Sequence, residues 1–133
     1  MTETAREFVI TLGAQPGTLA TFLRALARDG VNIRGGSGYN VGDYDIFRLI
    51  TNDPARTEVV LKHEGIPHRS NDVLVTSVPD RPGEFLKLAE RLGASGVNIH
   101  AVYNVGGALG GATGVAFSFA TQDLESARKA LGG

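Results

Sequence analysis

The fold prediction begins from the stretch PGEFLKLAERLGASGVNI, residues 82–99, and from its counterpart PGTLATFLRALARDGVNI, residues 16–33. The two stretches have the same length, lie 66 positions apart (16 to 82), and share the opening Pro-Gly pair and the closing Gly-Val-Asn-Ile. Self-similarity at a fixed offset is the signature of a duplicated structural unit. We therefore expect two copies of one fold, covering residues 1–72 and 73–133.

Each quoted stretch predicts one helix. Apolar residues recur at Leu19, Phe22, Leu23 and Leu26, and the second copy repeats this i, i+3, i+4, i+7 spacing, which is typical of an amphipathic helix. Proline suits the first turn of a helix, and the glycine at 30 or 96 suits a left-handed C-terminal cap. Each helix is therefore expected to run from the Pro-Gly pair to this glycine.

Strands are expected on both sides of this helix, followed by a second, shorter helix. Asn52-Asp53-Pro54 and Gln122-Asp123 place candidate N-caps ahead of the short helices. The hairpin tip is placed at 35–38 or 41–43 in the first copy and in the glycine-rich run 106–114 in the second. The main strands are expected at 8–12, 45–50, 73–78 and 115–120.

The order β-α-β-β-α-β corresponds to a ferredoxin-like unit, with an antiparallel sheet and helices on one face. The predicted fold class is thus α+β, two ferredoxin-like units in tandem. Residues 66–78 are expected to form one extended segment, serving as the last strand of the first unit and the first strand of the second. The second unit ends at Gly133 without a clear last strand. An unpaired sheet edge is usually covered by another chain, so a homodimer is expected.

Composition excludes several classes of function. The 133 residues contain no cysteine, which removes disulfides and thiolate metal sites, and the formal net charge of −1 offers no basic field for nucleic acid. The N-terminus has no apolar signal core, and no stretch approaches the roughly 18 apolar residues of a membrane span. We expect a cytoplasmic protein that binds neither nucleic acid nor membrane.

The motifs at 78–92 and 96–99 resemble those of the ACT domain, a small amino-acid-sensing module of metabolic enzymes and regulators. The first copy is similar, although Ala14 stands where the motif usually has Asp or Asn. The resemblance covers nearly the whole chain as two ACT units with nothing fused to them. It implies a non-catalytic regulatory protein that binds a small amino acid or related metabolite at the interface between ACT units.

The resemblance also implies which residues contact the ligand, namely the turn between first strand and first helix and the start of the second strand. Carried onto this sequence, they are Gln15, Pro16, Gly17, Thr18, Leu19, Asn32 and Ile33 in the first copy, and Asp80, Arg81, Pro82, Gly83, Glu84, Phe85, Asn98 and Ile99 in the second. A helix N-terminus suits a carboxylate, and asparagine or aspartate oxygens suit an ammonium group. A purely structural turn explains the same Pro-Gly pair, so this alternative stays open for both copies.

Other chemistry finds little support. His63, His68 and His100 lack metal-ligand spacing, and no phosphate-binding, dinucleotide or nucleophile motif occurs, so no metal, cofactor or catalytic residue is expected. An aromatic and basic RNA-binding signature is also missing. Two rivals remain: a protein-interaction module that pairs through sheet edges without a ligand, and a small enzyme that uses Asp80 and Arg81.

Overall fold

A computed structural model of the chain describes residues 2–106 and 112–132. The ten elements follow one another in the order strand, helix, strand, strand, helix, strand, helix, strand, strand, helix. They are β1 Thr2–Gly13, α1 Thr18–Arg28, β2 Ile33–Val41, β3 Tyr44–Thr51, α2 Pro54–His63, β4 His68–Pro79, α3 Glu84–Ala94, β5 Ala101–Val105, β6 Ala112–Ser118 and α4 Leu124–Ala130. The expected α+β content is confirmed. Within the described part of the chain, no helix is long and apolar enough to cross a membrane.

The two long helices begin and end where the repeated motif places them. Gly17 and Gly83 precede α1 and α3 in the left-handed conformation, with φ of 89° and 86°. Gly30 and Gly96 follow the same helices with φ of 74° and 76°. Positive φ is strained for residues with a Cβ, so the recurrence of glycine at these four positions has a conformational reason.

The chain divides into two compact units. The first unit consists of Arg6–Asn71, and the second unit consists of Met1–Ala5 together with Asp72–Gly133. Residues 1–5 and Asp72, which belong to the first of the two sequence copies, group with the second half of the chain. The extended segment expected at 66–78 is observed as β4, whose residues 68–71 belong to the first unit and whose remainder belongs to the second.

In the first unit, β3 lies between β1 and β2, and both pairings are antiparallel. The start of β4 lies along the other side of β1, where the Thr11 N–H donates to Pro67 O at 3.1 Å. Two helices complete this unit. Its core combines Phe8, Ile10 and Leu49 of the sheet with Phe22 and Leu26 of α1.

The second unit repeats this arrangement, with β6 between β4 and β5 and antiparallel pairing on both sides. Its fourth strand is the beginning of β1, which lies beside β4, with the Thr2 hydroxyl 3.5 Å from the Thr76 hydroxyl. Arg128 of α4 donates to Thr4 Oγ1 at 2.7 Å. The expectation that this unit lacks a last strand is therefore wrong. A strand from the start of the chain pairs with this edge, which removes the reason given above for a homodimer.

The hairpin tip of the first unit lies at Gly42-Asp43, the second of the two expected positions, and Gly42 has a φ of 60°. The tip expected at 106–114 in the second unit lies partly outside the described residues, and residues 112–114 belong to β6. Asp53 caps α2 as expected, since its carboxylate accepts from Arg56 N–H at 3.0 Å. Asp123 precedes α4 without a side-chain capping bond, because a 3₁₀ turn at Thr121–Asp123 leads into this helix.

Candidate functional site

The turn before α1 is held together by hydroxyl groups that bond to its own backbone. The Thr18 hydroxyl lies 2.9 Å from Gly13 O and 3.1 Å from Gln15 O, and the Thr21 hydroxyl donates to Gly17 O at 3.0 Å. These bonds are local and lie at the exposed end of the helix. They fix the shape of the turn and leave the Gln15 side chain at the surface.

The turn before α3 carries more charge. Glu84 lies in the first turn of α3, and its carboxylate pairs with Arg81 at 3.4 Å and with Lys87 at 3.2 Å. Asp80 is exposed in the same turn. Because the Arg81 guanidinium pairs with Glu84, the structure does not show Asp80 and Arg81 as the paired group that a small enzyme would use.

Both turns present helix N-termini without side-chain caps. Neither Gly17 nor Gly83 can supply a capping side chain, and neither helix has a capping hydrogen bond from a side chain. The first N–H groups of a helix have no partner within the helix, and they carry the positive end of its dipole. The Thr18 and Glu84 N–H groups already donate to Gln15 O and Arg81 O at 3.3 Å, so the donors that each turn offers to an anionic group such as a carboxylate are the N–H groups that follow them in the first helical turn.

The strand-start asparagines are placed differently in the two units. The Asn32 N–H donates to Asn52 Oδ1 at 2.8 Å, and the Asn52 N–H donates to Asn32 O at 3.0 Å. This exchange fixes the backbone of Asn32 and leaves its side chain exposed. Asn98 is also exposed, whereas Ile99 packs against the core of the second unit.

A cavity of about 360 Å³ lies beside the start of α1 in the first unit. Pro16, Gly17 and Thr18 line it together with Glu64 and Ile66, which follow the end of α2. The structure thus brings three predicted site residues against the end of the second helix. Sequence analysis did not identify Glu64 because it lies 46 positions beyond Thr18 (18 to 64) and carries no motif.

A second cavity, of about 260 Å³, lies between α1 and the β2–β3 hairpin of the same unit. Leu19 and Ile33, both predicted site residues, line it together with Gly36, Gly38 and Phe47. We call it the α1–β2 groove. The glycines of β2 were assigned to a possible hairpin tip, so sequence analysis missed their part in this groove.

In the second unit an aromatic pair stands at the corresponding place. Phe85 of α3, the counterpart of Leu19, stacks on Phe117 of β6 with ring centroids 5.9 Å apart. Phe117 is fully buried, and Phe85 is 44% exposed. Phe85 therefore packs against the core through Phe117 and still exposes part of its ring at the predicted site.

Metal chemistry finds no support in the described residues, where no group of three or more His, Asp or Glu side chains is placed to hold a metal ion. Two of the three histidines contact glutamate side chains. His68 lies 2.7 Å from Glu58 and 2.8 Å from Ile66 O, and His63 lies 3.0 Å from Glu64.

Comparison with known proteins agrees with this geometry. A crystal structure of a protein from Bacteroides thetaiotaomicron matches with a TM-score of 0.83 at 25% identity, over 96% of this chain and 89% of the other. The ligand-free regulatory subunit of aspartate kinase from Thermus thermophilus matches with a TM-score of 0.67 at 18% identity, over 98% and 93% of the two chains. The corresponding subunit from Thermus flavus matches with a TM-score of 0.63 at 18% identity, over the same shares.

At 18% identity, the likeness to the aspartate kinase subunits shows a shared fold. No curated protein matches the chain significantly. A family model described as an ACT domain pair matches residues 3–131, and the resemblance derived from the repeated motif is confirmed. Since this match spans nearly the whole described chain, the protein belongs to the ACT domain pair family.

Proposed function

We propose that the chain is a non-catalytic regulatory protein that binds a small amino acid or a related metabolite at the turns before α1 and α3. The observation that carries the proposal is the pair of uncapped helix N-termini, each preceded by a left-handed glycine. Such a site binds a carboxylate with backbone N–H groups, and the missing Cβ lets the ligand approach closely. The likeness in fold to two regulatory subunits of aspartate kinase supports a regulatory role.

The proposed contacts are those that the resemblance to ACT domains implies. The ligand carboxylate binds at residues 16–19 or 82–85, and the ligand ammonium binds to oxygen atoms near the strand starts at Asn32 or Asn98. Gln15, Asp80 and Arg81 lie on exposed turns beside these positions. The first unit is proposed to follow the ferredoxin-like β-α-β-β-α-β plan, and the second unit is proposed to have the same sheet with its fourth strand supplied by residues 2–5, which the strand pairings support.

The direct test is a thermal-shift screen of the purified protein against the twenty amino acids, followed by calorimetry on each hit. A ligand at a hundredfold its Kd adds about 2.7 kcal/mol to the stability, which raises Tm by several degrees for a chain of this size. A flat response across all twenty, confirmed by calorimetry, would contradict the proposal.

Substitution of the turn glycines separates binding from structure. Gly17→Val and Gly83→Val place a β-branched residue at a φ near 89° or 86°, where an added Cβ meets no other atom within 4 Å. We expect a strain of about 1–2 kcal/mol and loss of binding at the altered turn. Gly132→Val is the matched control, because Gly132 has the same φ of 89° and no nearby atom at its Cβ position, but lies at the C-terminus.

A protein-interaction module is the second candidate, and the β2–β3 hairpin of the first unit favours it. Tyr39, Val41 and Tyr44 lie near its tip and are 50%, 56% and 58% exposed. Exposed apolar residues that cluster on one element are typical of interaction sites. We propose that this hairpin tip mediates homodimer formation in the cytoplasm. Sedimentation of the protein and of Tyr39→Ser/Tyr44→Ser tests this, and an unchanged association state would reject the hairpin as the contact.

A further inference from the structure

The first unit contains a groove where the second unit has a stacked aromatic pair, and the two units also differ there in one β-pair. In the first unit Gly38 lies opposite Phe47, whereas in the second unit Val102 lies opposite Phe117. A Cβ at Gly38 would collide with the Phe47 ring, so the ring rests on the glycine itself. Opposite Phe117 the second unit has a valine in place of this glycine.

The two phenylalanines consequently have different partners. Phe117 stacks on Phe85 of α3, and the aromatic pair occupies the space between helix and hairpin. The first unit has Leu19 at the corresponding helix position, and Phe47 lies over β2 instead. The α1–β2 groove of about 260 Å³ remains between them.

The walls of this groove are apolar. Leu19, Phe22 and Leu23 contribute from α1, and Ile33, which is 38% exposed, contributes from β2. The one charged residue among those lining it is Arg48, whose guanidinium pairs with the buried Glu7 carboxylate at 2.9 Å. A charged ligand group would therefore enter without a carboxylate or ammonium counter-ion in the lining, and it would lose its hydration.

The groove is continuous with the turn assigned to the ligand. Leu19 belongs to the first turn of α1, which begins at Thr18, and also lines the groove. Its volume lies below the roughly 300–1,000 Å³ of sites for drug-sized ligands, and thus suits a single small side chain.

We propose that the α1–β2 groove of the first unit receives the aliphatic side chain of the bound amino acid, so that this unit selects the ligand. The inference rests on the proposed function, and it specifies the class of ligand as amino acids with aliphatic side chains. At the corresponding place in the second unit, the rings of Phe85 and Phe117 stack on each other. Selection by size and polarity is therefore assigned to the first unit.

Calorimetry with L-alanine, L-valine, L-leucine, L-aspartate and L-lysine tests the ligand class. One methylene in an apolar pocket changes affinity by about tenfold or more, so leucine is expected to bind at least about tenfold more tightly than alanine. Aspartate and lysine are expected to bind more weakly than leucine. If none of the twenty amino acids binds, the proposed function fails. If a charged amino acid binds most tightly, binding stands and the groove assignment is overturned.

Leu19→Phe introduces the second unit's residue into the groove and fills it. We expect leucine affinity to fall by about tenfold or more, and to fall by a larger factor than alanine affinity. Leu86→Phe is the matched control, because it makes the same change on the 58% exposed face of α3. Unchanged leucine affinity in Leu19→Phe would overturn the assignment.

A second test uses the unaltered protein, so its result does not depend on whether the Leu19→Phe variant folds. Methyl NMR with added L-leucine should shift the signals of Leu19, Leu23 and Ile33 more than those of Leu86 and Ile99. Leucine binding with the largest shifts in the second unit would contradict the proposal.

Discussion

At the scale of single residues, the first unit contains a buried ion pair that no sequence motif predicted. Glu7 has no exposed surface, and its Oε1 accepts from Arg48 Nη1 at 2.9 Å and from Asn71 Nδ2 at 2.7 Å. Arg48 is 11% exposed at its side chain. Removal of one partner from a buried pair leaves an uncompensated charge, which costs more than the pair contributes.

Arg48→Met is therefore expected to lower the free energy of unfolding by about 3–5 kcal/mol. The double variant Glu7→Leu/Arg48→Met leaves no buried charge and should be less destabilised than the single variant. Urea unfolding of both proteins measures the difference. Lys62→Met is the control, since the Lys62 side chain is 71% exposed and its pair with Glu58 at 3.7 Å should contribute less than about 1 kcal/mol. A double variant less stable than Arg48→Met would contradict the argument.

At the scale of elements, the two short helices have the same candidate cap and differ in its use. Asp53 accepts a hydrogen bond from Arg56 N–H at 3.0 Å, whereas Asp123 makes no capping bond. Both carboxylates lie at a helix N-terminus and share the dipole attraction. Comparison of the two helices therefore distinguishes the stability contributed by the capping hydrogen bond from that contributed by the carboxylate charge.

Asp53→Ala is expected to lower stability by about 1 kcal/mol. Asp123→Ala should lower it by a smaller amount, and the difference of about 0.5–1 kcal/mol corresponds to the hydrogen bond. Chemical denaturation of the two variants checks this ranking. Equal losses would show that the capping bond makes no net contribution.

The helices and most strands could be predicted because their determinants are local. Helical spacing, Pro-Gly pairs and capping glycines each act within a few residues. The groove could not be predicted, because it depends on hairpin register. The sequence offset places Val102 against Gly36, whereas strand pairing places both Val102 and Gly38 opposite the repeated phenylalanine. A register difference is set by turn geometry, which a repeat alignment does not contain.

At the scale of the whole molecule, the principal feature missed by sequence analysis is that residues 2–5 form a strand of the second unit. The segment Thr2-Glu3-Thr4-Ala5 has no apolar alternation, so nothing in it predicts a strand. Its partner strand lies about 70 residues away, and such pairings depend on tertiary context.

Deletion of residues 2–5 is expected to destabilise the second unit by at least about 1 kcal/mol, with Tm lowered by roughly 3–5 °C. Amide exchange should become faster in residues 73–78 of β4 and stay unchanged in residues 8–12 of β1. Thr2→Val/Thr4→Val keeps the strand and removes only its side-chain hydrogen bonds, so it should have a smaller effect. Equal protection of 73–78 in the deletion variant would contradict this role.

The placement of residues 2–5 also has a consequence for biosynthesis. Residues 6–71 are contiguous and leave the ribosome before residues 72–133, so the first unit can fold while most of the second is still being made. At about 5–20 residues per second, the roughly 60 residues that follow take about 3–12 s to synthesise. Residues 72–79 of β4, the partner of segment 2–5, are the first of these residues to emerge, so the segment can pair while the rest of the second unit is still being made. Its two threonines and one glutamate make it a poor template for association with other nascent chains until that partner strand is made.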